Sequence, residues 1–256
     1  MTGIVDSHCH LQNFRPAEID EIIKSVRRKG IVKIITSSTS PEDWHFTKGL
    51  SKKYREVEYT LGLHPWFARS WKPDKIKLLL DANYSSNVIG IGEIGLDRFR
   101  KDISSPNQID IFRSQLEFAC EKNLPVVLHC VRAYNELIEI LKNTGVPHCG
   151  GIIHDFSSGP QIAETLLDLN ISISAGGYYA DTPSAKAIEA LKSAWPENLL
   201  LETDSPDSRS RHGGMIKSPA DTEYILDKIS ALLDTAPETV AEWTTANAAR
   251  IFRLDI

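Results

Sequence analysis

The sequence has no run approaching the ~18 consecutive apolar residues of a membrane-spanning helix, which excludes a helical membrane protein. Cysteine is scarce: the four are Cys9, Cys120, Cys130 and Cys149. They are far apart and none forms a Cys-x-x-Cys pair, which excludes a small disulfide framework and leaves reduced thiols, as in a cytosol. An excess of positive charge is also lacking. The 29 Lys plus Arg face 34 Asp plus Glu, for a net charge of −5. That excludes a strongly basic nucleic-acid-binding module, though not an enzyme that meets nucleic acid through metal ions and a few local basic residues. Met1 to Leu11 shows no basic patch, long apolar stretch or small-residue cleavage pattern. No repeat, low-complexity tract or linker interrupts the chain. The expectation is one cytoplasmic domain over residues 1–256, with no membrane partner and a monomer favoured.

What is present is alternation. Short apolar runs recur at Ile4-Val5, Val32–Ile35, Tyr59–Leu61, Val88–Gly92, Val126–Leu128, Gly151–Ile153, Ile171–Ser174 and Leu199–Leu201. These eight candidate strands are nearly continuous apolar runs, as parallel strands buried on both faces should be. Helical patterns separate them. One opens after Pro16 and stops at Gly30, and Ser40-Pro41-Glu42-Asp43 has the composition of a helix start. Ile109, Phe112, Leu116 and Ala119 keep a helical period, and Ala220–Leu233 and Pro237–Phe252 close the chain. Eight β/α units in about 250 residues predict a (β/α)8 TIM barrel of the α/β class. A doubly wound sheet is the alternative. Gly90-x-Gly92-x-x-Gly95 fits a dinucleotide-binding pattern, but Glu93 sets an acid where a pyrophosphate would lie.

Nearly every informative polar residue follows a predicted strand: His8 and His10, His64, Glu93, His129, His154 and Asp204. In a barrel those strand ends meet at one face, where catalytic sites form. His8 and His10 are two residues apart, so in extended chain both imidazoles point to one side and can grip one ion, with Cys9 turned away. Glu93 can bridge two ions through its two oxygens, and Asp204 offers a hard anionic ligand that also suits a general base. Nitrogen and oxygen ligands without thiolate suit Zn²⁺, Mn²⁺ or Mg²⁺. A lone histidine is more often a satisfied core residue than a ligand; several groups ending different strands together point to a metal site. His45 and His148 read as surface residues.

These stretches resemble the TatD family of metal-dependent deoxyribonucleases, among the amidohydrolase-like barrels. The carriers are Asp6-Ser7-His8-Cys9-His10-Leu11, Gly62-Leu63-His64-Pro65, Gly92-Glu93-Ile94-Gly95-Leu96-Asp97, Leu128-His129-Cys130, Ile153-His154-Asp155-Phe156-Ser157 and Glu202-Thr203-Asp204-Ser205-Pro206. The resemblance spans essentially the whole chain. It implies two divalent ions (Mg, Mn or Zn), one held by His8, His10, Glu93 and Asp204, the other by Glu93, His129 and His154. It implies Glu93 and Asp204 as catalytic residues and DNA as substrate, especially single-stranded DNA or 3′ ends cut by a 3′–5′ exonuclease. Arg132, Arg209, Arg211, His212 and Lys217 are candidate phosphate contacts, with His64 as a further substrate contact. The loop from Asp207 to Pro219 departs from the family's pattern, keeping a proline and a basic character. Trp66, Phe67 and Trp71 could stack on bases or pack a loop. The alternatives are a metal-dependent hydrolase of an amide, lactone or aminoacyl ester, or a partner-dependent subunit of a DNA-processing complex. Two divalent ions would add about four positive charges at the barrel mouth, so a net acidic chain can still meet a polyanion.

Overall fold

The computed structural model describes residues 3–99, 105–208 and 216–256. Eight parallel strands pair in chain order. They are β1 (Ile4–Cys9), β2 (Ile31–Ser37), β3 (Val57–Leu61), β4 (Gly90–Asp97), β5 (Val126–Val131), β6 (Gly151–Ile153), β7 (Ile171–Ala175) and β8 (Leu199–Leu201). Beyond β8 the seam to β1 is drawn together by Asp204 N donating to His8 O at 3.0 Å and His10 N donating to Ser205 O at 2.8 Å. The result is the nearly closed (β/α)8 barrel that the alternation predicts. No helix among the described residues is long and apolar enough to cross a membrane.

Helices fill the connections: α1 (Pro16–Arg28), α2 (Trp44–Lys53), α3 (Pro73–Asn83), α4 (Ser105–Lys122), α5 (Tyr134–Thr144), α6 (Pro160–Asp168), α7 (Gly177–Asp181), α8 (Ala185–Ala194), α9 (Thr222–Leu233) and α10 (Pro237–Phe252). α1 illustrates why. Pro16 takes the first position, where no amide is needed, and Glu18 reaches back to accept the Arg15 N–H at 3.1 Å. Ile19, Ile23 and Val26 then fall on one buried face.

Two expectations need correction. Ser40-Pro41-Glu42-Asp43 does not open α2, which begins at Trp44. Asp43 instead ties down a turn, its Oδ2 accepting from Thr39 N at 2.9 Å, Thr39 Oγ1 at 2.8 Å and Ser40 N at 3.3 Å. β4 also runs on through Glu93 to Asp97 rather than stopping at Gly92, because Ile94, Gly95, Leu96 and Asp97 continue the ladder with Leu128, His129, Cys130 and Val131 of β5. Glu93 therefore sits inside a strand, as do His8 in β1 and His129 in β5.

The core has two parts. The larger lies between the strands and the helical ring and includes Cys9. The smaller gathers Val5, Ile35, Val127, Ile152 and Leu200 against Ala248, Ile251 and Phe252 of α10. Ile35, Val127, Ile152 and Leu200 lie two residues before Ser37, His129, His154 and Glu202, so each shares an inward face with a polar residue above it. An apolar floor thus closes the barrel bottom and leaves the polar layer at the top. α10 is fixed to this floor by Asn247, whose Nδ2 donates to Pro196 O at 2.7 Å and to Leu199 O at 2.9 Å.

Candidate active site

The polar layer is centred on Glu93, buried in the lining of a cavity of about 850 Å³. Its two oxygens face different neighbours. Oε1 lies 2.7 Å from His129 Nδ1, 2.9 Å from His154 Nε2 and 3.3 Å from His64 Nε2. Oε2 lies 3.2 Å from His10 Nε2 and 3.6 Å from His8 Nε2. Asp204 Oδ1 closes the second group, 3.4 Å from His10 Nε2 and 3.5 Å from His8 Nε2. Among the described residues, three sets thus bring ligand atoms within 4.8 Å of one another: His8, His10 and Asp204; His8, Glu93 and His154; His64, Glu93 and His129.

Backbone and partner residues aim these groups. Ser37 Oγ meets His8 Nδ1 at 3.0 Å, and the Ser37 carbonyl accepts from His10 Nδ1 at 2.9 Å, so both rings present Nε2 to the centre. Asp6 accepts from Thr203 Oγ1 at 2.6 Å and Thr203 N at 3.1 Å, which fixes the segment leading to Asp204. Burial pushes the Asp6 carboxyl up to about 8 against these hydrogen bonds. α4 contributes two buried glutamines seven residues, or two turns, apart on one face. Gln115 bonds both backbone groups of Leu63, beside His64, at 2.7 and 3.1 Å; Gln108 does the same for Asp97 at 2.9 and 3.0 Å.

Glycines admit the close approaches. A Cβ on Gly95, at φ +145°, would lie 2.0 Å from the His129 carbonyl oxygen, and one on Gly62 would lie 2.5 Å from the Gly92 carbonyl carbon. Arg132, Asp155 and Asp204 hold left-handed backbone at φ +55°, +41° and +50°, just beyond β5, β6 and β8. Such strain gathers where side chains must be aimed.

The charge distribution is that of a site built for cations. Burial alone would raise the Glu93 and Asp204 carboxyls. The imidazoles around Glu93, His154 first, hold it well below its ordinary value; the neighbouring His10 and His8 imidazoles do so for Asp204. Burial lowers His64 to about 4, with Glu93 acting against it. His8 is lowered too, by burial and by His154. His8 Nε2 is buried with no hydrogen-bond partner among the described residues, although it faces two carboxylates. A cation between His8, Glu93 and Asp204 would satisfy that nitrogen and both anions, so the residues fit a divalent metal.

Other anticipated residues divide. His64 is drawn into the centre, its Nδ1 accepting from Trp66 N at 3.1 Å and its ring 4.3 Å from that of His129. Arg132 is exposed and lines the cavity. Lys217 is exposed and is not among the described lining residues; its backbone N–H donates to Asp221 at 2.8 Å. Arg209, Arg211 and His212 lie outside the described residues. His45 and His148 are at the surface. Sequence reasoning assigned no role to Asp97, Glu202 or Ser37. Period-two spacing was the available signal: Asp97 shares the strand face of Glu93, Ser37 that of Ile35, and Glu202 follows Leu200 by two.

A parallel barrel whose imidazoles and carboxylates meet at the carboxyl ends of the strands is the layout of a metal-dependent hydrolase. The chain belongs to the TatD family: the family described as TatD related DNase matches residues 5–253. An uncharacterized metal-dependent hydrolase of Buchnera aphidicola subsp. Baizongia pistaciae (strain Bp) is 31% identical over 261 residues, covering 98% of this chain and 96% of its own. The 3′-5′ ssDNA/RNA exonuclease TatD of Erwinia billingiae (strain Eb661) is 29% identical over 243 residues, covering 92% and 93%. The crystal structure of YjjV, a TatD homolog from Escherichia coli K12, superposes with a TM-score of 0.90 at 27% identity and covers 98% of each chain.

Proposed function

We propose that the protein hydrolyses phosphodiester bonds of single-stranded nucleic acid, DNA above all, from a 3′ end, using two divalent ions. The observation that carries this reading is the division of Glu93: one oxygen faces His64, His129 and His154, the other His8 and His10. His8, His10, Asp204 and Glu93 would hold one ion, and Glu93, His129, His154 and His64 would hold the other. Bound there, Mg²⁺, Mn²⁺ or Zn²⁺ supplies the Lewis-acid field that makes water nucleophilic and offsets charge on the phosphoryl oxygens.

The chain's own residues do the rest. Asp204 engages His8 and His10 through Oδ1, which leaves Oδ2 to accept a proton of the attacking water. The Ser37 carbonyl, which also accepts from Gln12 Nε2 at 2.7 Å, holds the His10 ring in place. Arg132, exposed at the cavity, meets a phosphate flanking the scissile one. The named activity of the Erwinia relative supports the nucleic-acid substrate and the 3′ polarity.

The test pairs metal analysis with a substrate panel: 3′-labelled single-stranded DNA and RNA, a nucleoside phosphodiester, and a carboxylic ester. Chelator-sensitive shortening of DNA from the 3′ end is expected. Cleavage of the ester by well-metallated protein that leaves every phosphodiester intact would overturn the reading.

A further inference from the structure

The cavity mouth carries exposed aromatic rings. Trp66, Phe67 and Phe99 are 45%, 43% and 62% exposed, and all three line the cavity that contains Glu93 and Asp204. They come from two separate loops, one after β3 and one after β4. A single buried carboxylate ties these loops together. Asp97 Oδ2 accepts from Trp66 Nε1 at 2.6 Å, and Oδ1 accepts from Phe99 N at 2.7 Å. Oδ2 also lies 3.2 Å from His129 Nε2, which links the aromatic rim to the centre. The indole stands edge-on to His64, 5.0 Å between centroids at 86°. The Arg132 guanidinium lies 5.4 Å over the Phe99 ring.

Rings that serve packing turn inward. Trp71, in the same loop, does so: it is half-buried against the core, with Lys75 Nζ 5.1 Å from its ring centroid. Trp66 and Phe99 are instead tied to Asp97, one through its indole N–H and the other through its backbone N–H, and remain 45% and 62% exposed. Tethered, partly exposed aromatic rings beside a guanidinium suit a planar ring that bears an anion. Nucleobases provide the ring and their phosphates the anion.

We infer that Trp66, Phe67 and Phe99 form a nucleobase-stacking subsite, with Arg132 meeting the phosphate of the stacked nucleotide. This deepens the phosphodiesterase reading above and rests on it. The subsite selects an unstacked base, so it favours single strands and frayed ends over duplex and over base-free phosphodiesters. Stacking tolerates every base, so little sequence preference accompanies it.

The test measures equilibrium binding to metal-loaded protein of two oligonucleotides with phosphorothioate-protected 3′ ends. One is hexathymidylate; the other has the same backbone with abasic 3′-terminal residues. The abasic strand is expected to bind about tenfold or more weakly. Trp66→Ala and Phe99→Ala should each weaken hexathymidylate by about tenfold and the abasic strand by less than about twofold. Trp66→Phe, which keeps a stacking face, should fall within a few fold of the parent. Equal binding of the two strands by the parent protein, or equal losses for both strands in the alanine variants, would overturn the subsite. A separate assay with unprotected oligonucleotide and Mn²⁺ isolates the underlying reading. Base-dependent binding without any shortening would sink the phosphodiesterase and leave the subsite standing.

Discussion

Replacing Asp97 with alanine removes one acceptor from three donors at once: Trp66 Nε1, Phe99 N and His129 Nε2, at 2.6, 2.7 and 3.2 Å. The Asp97 carboxyl is held below its ordinary value, since hydrogen bonds from His129 and Trp66 outweigh its burial. Water can replace the acceptor for the exposed Trp66 and Phe99, but not for the buried His129 nitrogen. A buried donor left without a partner costs about 1–3 kcal/mol, so about 2–4 kcal/mol in all is expected. For a domain of this size that lowers Tm by about 5–15 °C. The freed imidazole should also weaken metal binding by about 10–100-fold. Asp97→Asn keeps one acceptor oxygen and should recover part of the stability, but its amide nitrogen cannot accept, so it serves either the Phe99 N–H or the Trp66 and His129 donors and not all three. Thermal melts and chelator-competition titrations read both quantities. Unchanged metal affinity in a folded Asp97→Ala protein would refute the claim that Asp97 sets the orientation of His129.

Three further substitutions probe separate layers. Glu56 is paired in bidentate fashion with Arg27 at 2.9 and 3.0 Å, and those bonds lower its carboxyl from 4.5 to about 2. Its stabilisation is therefore full above about pH 4.5 and lost as pH falls through about 2. Arg27 is half exposed, so solvent screening limits the loss in Glu56→Gln at pH 7 to about 1–2 kcal/mol by urea unfolding, and the difference from the parent should shrink to nothing near pH 2. Phe252→Ala empties part of the apolar floor and should cost about 3–5 kcal/mol, while kcat per folded molecule at low temperature stays near that of the parent. Gly95→Ala drives a Cβ into the His129 carbonyl and should yield little folded protein, with metal content and Tm both reduced in whatever is recovered.

The barrel and the convergence of polar groups were legible because both follow simple periods. β/α alternation predicts the fold, and a polar residue ending an apolar run predicts the top layer, as with His129 after Val126–Leu128 and His154 after Gly151–Ile153. The extent of β4 was hidden because the apolar run is broken at Glu93, whereas the strand continues to Asp97 with Gly95 admitting the His129 carbonyl. The part played by Asp97 was hidden because its partner Trp66 lies 31 residues away and no local pattern links them. Gln108 and Gln115 read as ordinary polar helix residues. Only the packing of α4 against the barrel shows each satisfying both backbone groups of one residue, Asp97 at the end of β4 and Leu63 beyond β3. Composition could not separate Trp66 from Trp71; exposure does.

The central claim is that Glu93 joins two ion sites through its two oxygens. Metal stoichiometry by elemental analysis, after equilibration with Mn²⁺ or Zn²⁺, tests it most directly in the parent protein beside Glu93→Ala and His154→Ala. The account predicts two ions per chain in the parent, loss of both in Glu93→Ala, and retention of about one in His154→Ala, through His8, His10 and Asp204. A parent that saturates at one ion, or a folded Glu93→Ala protein that still holds two, would contradict it.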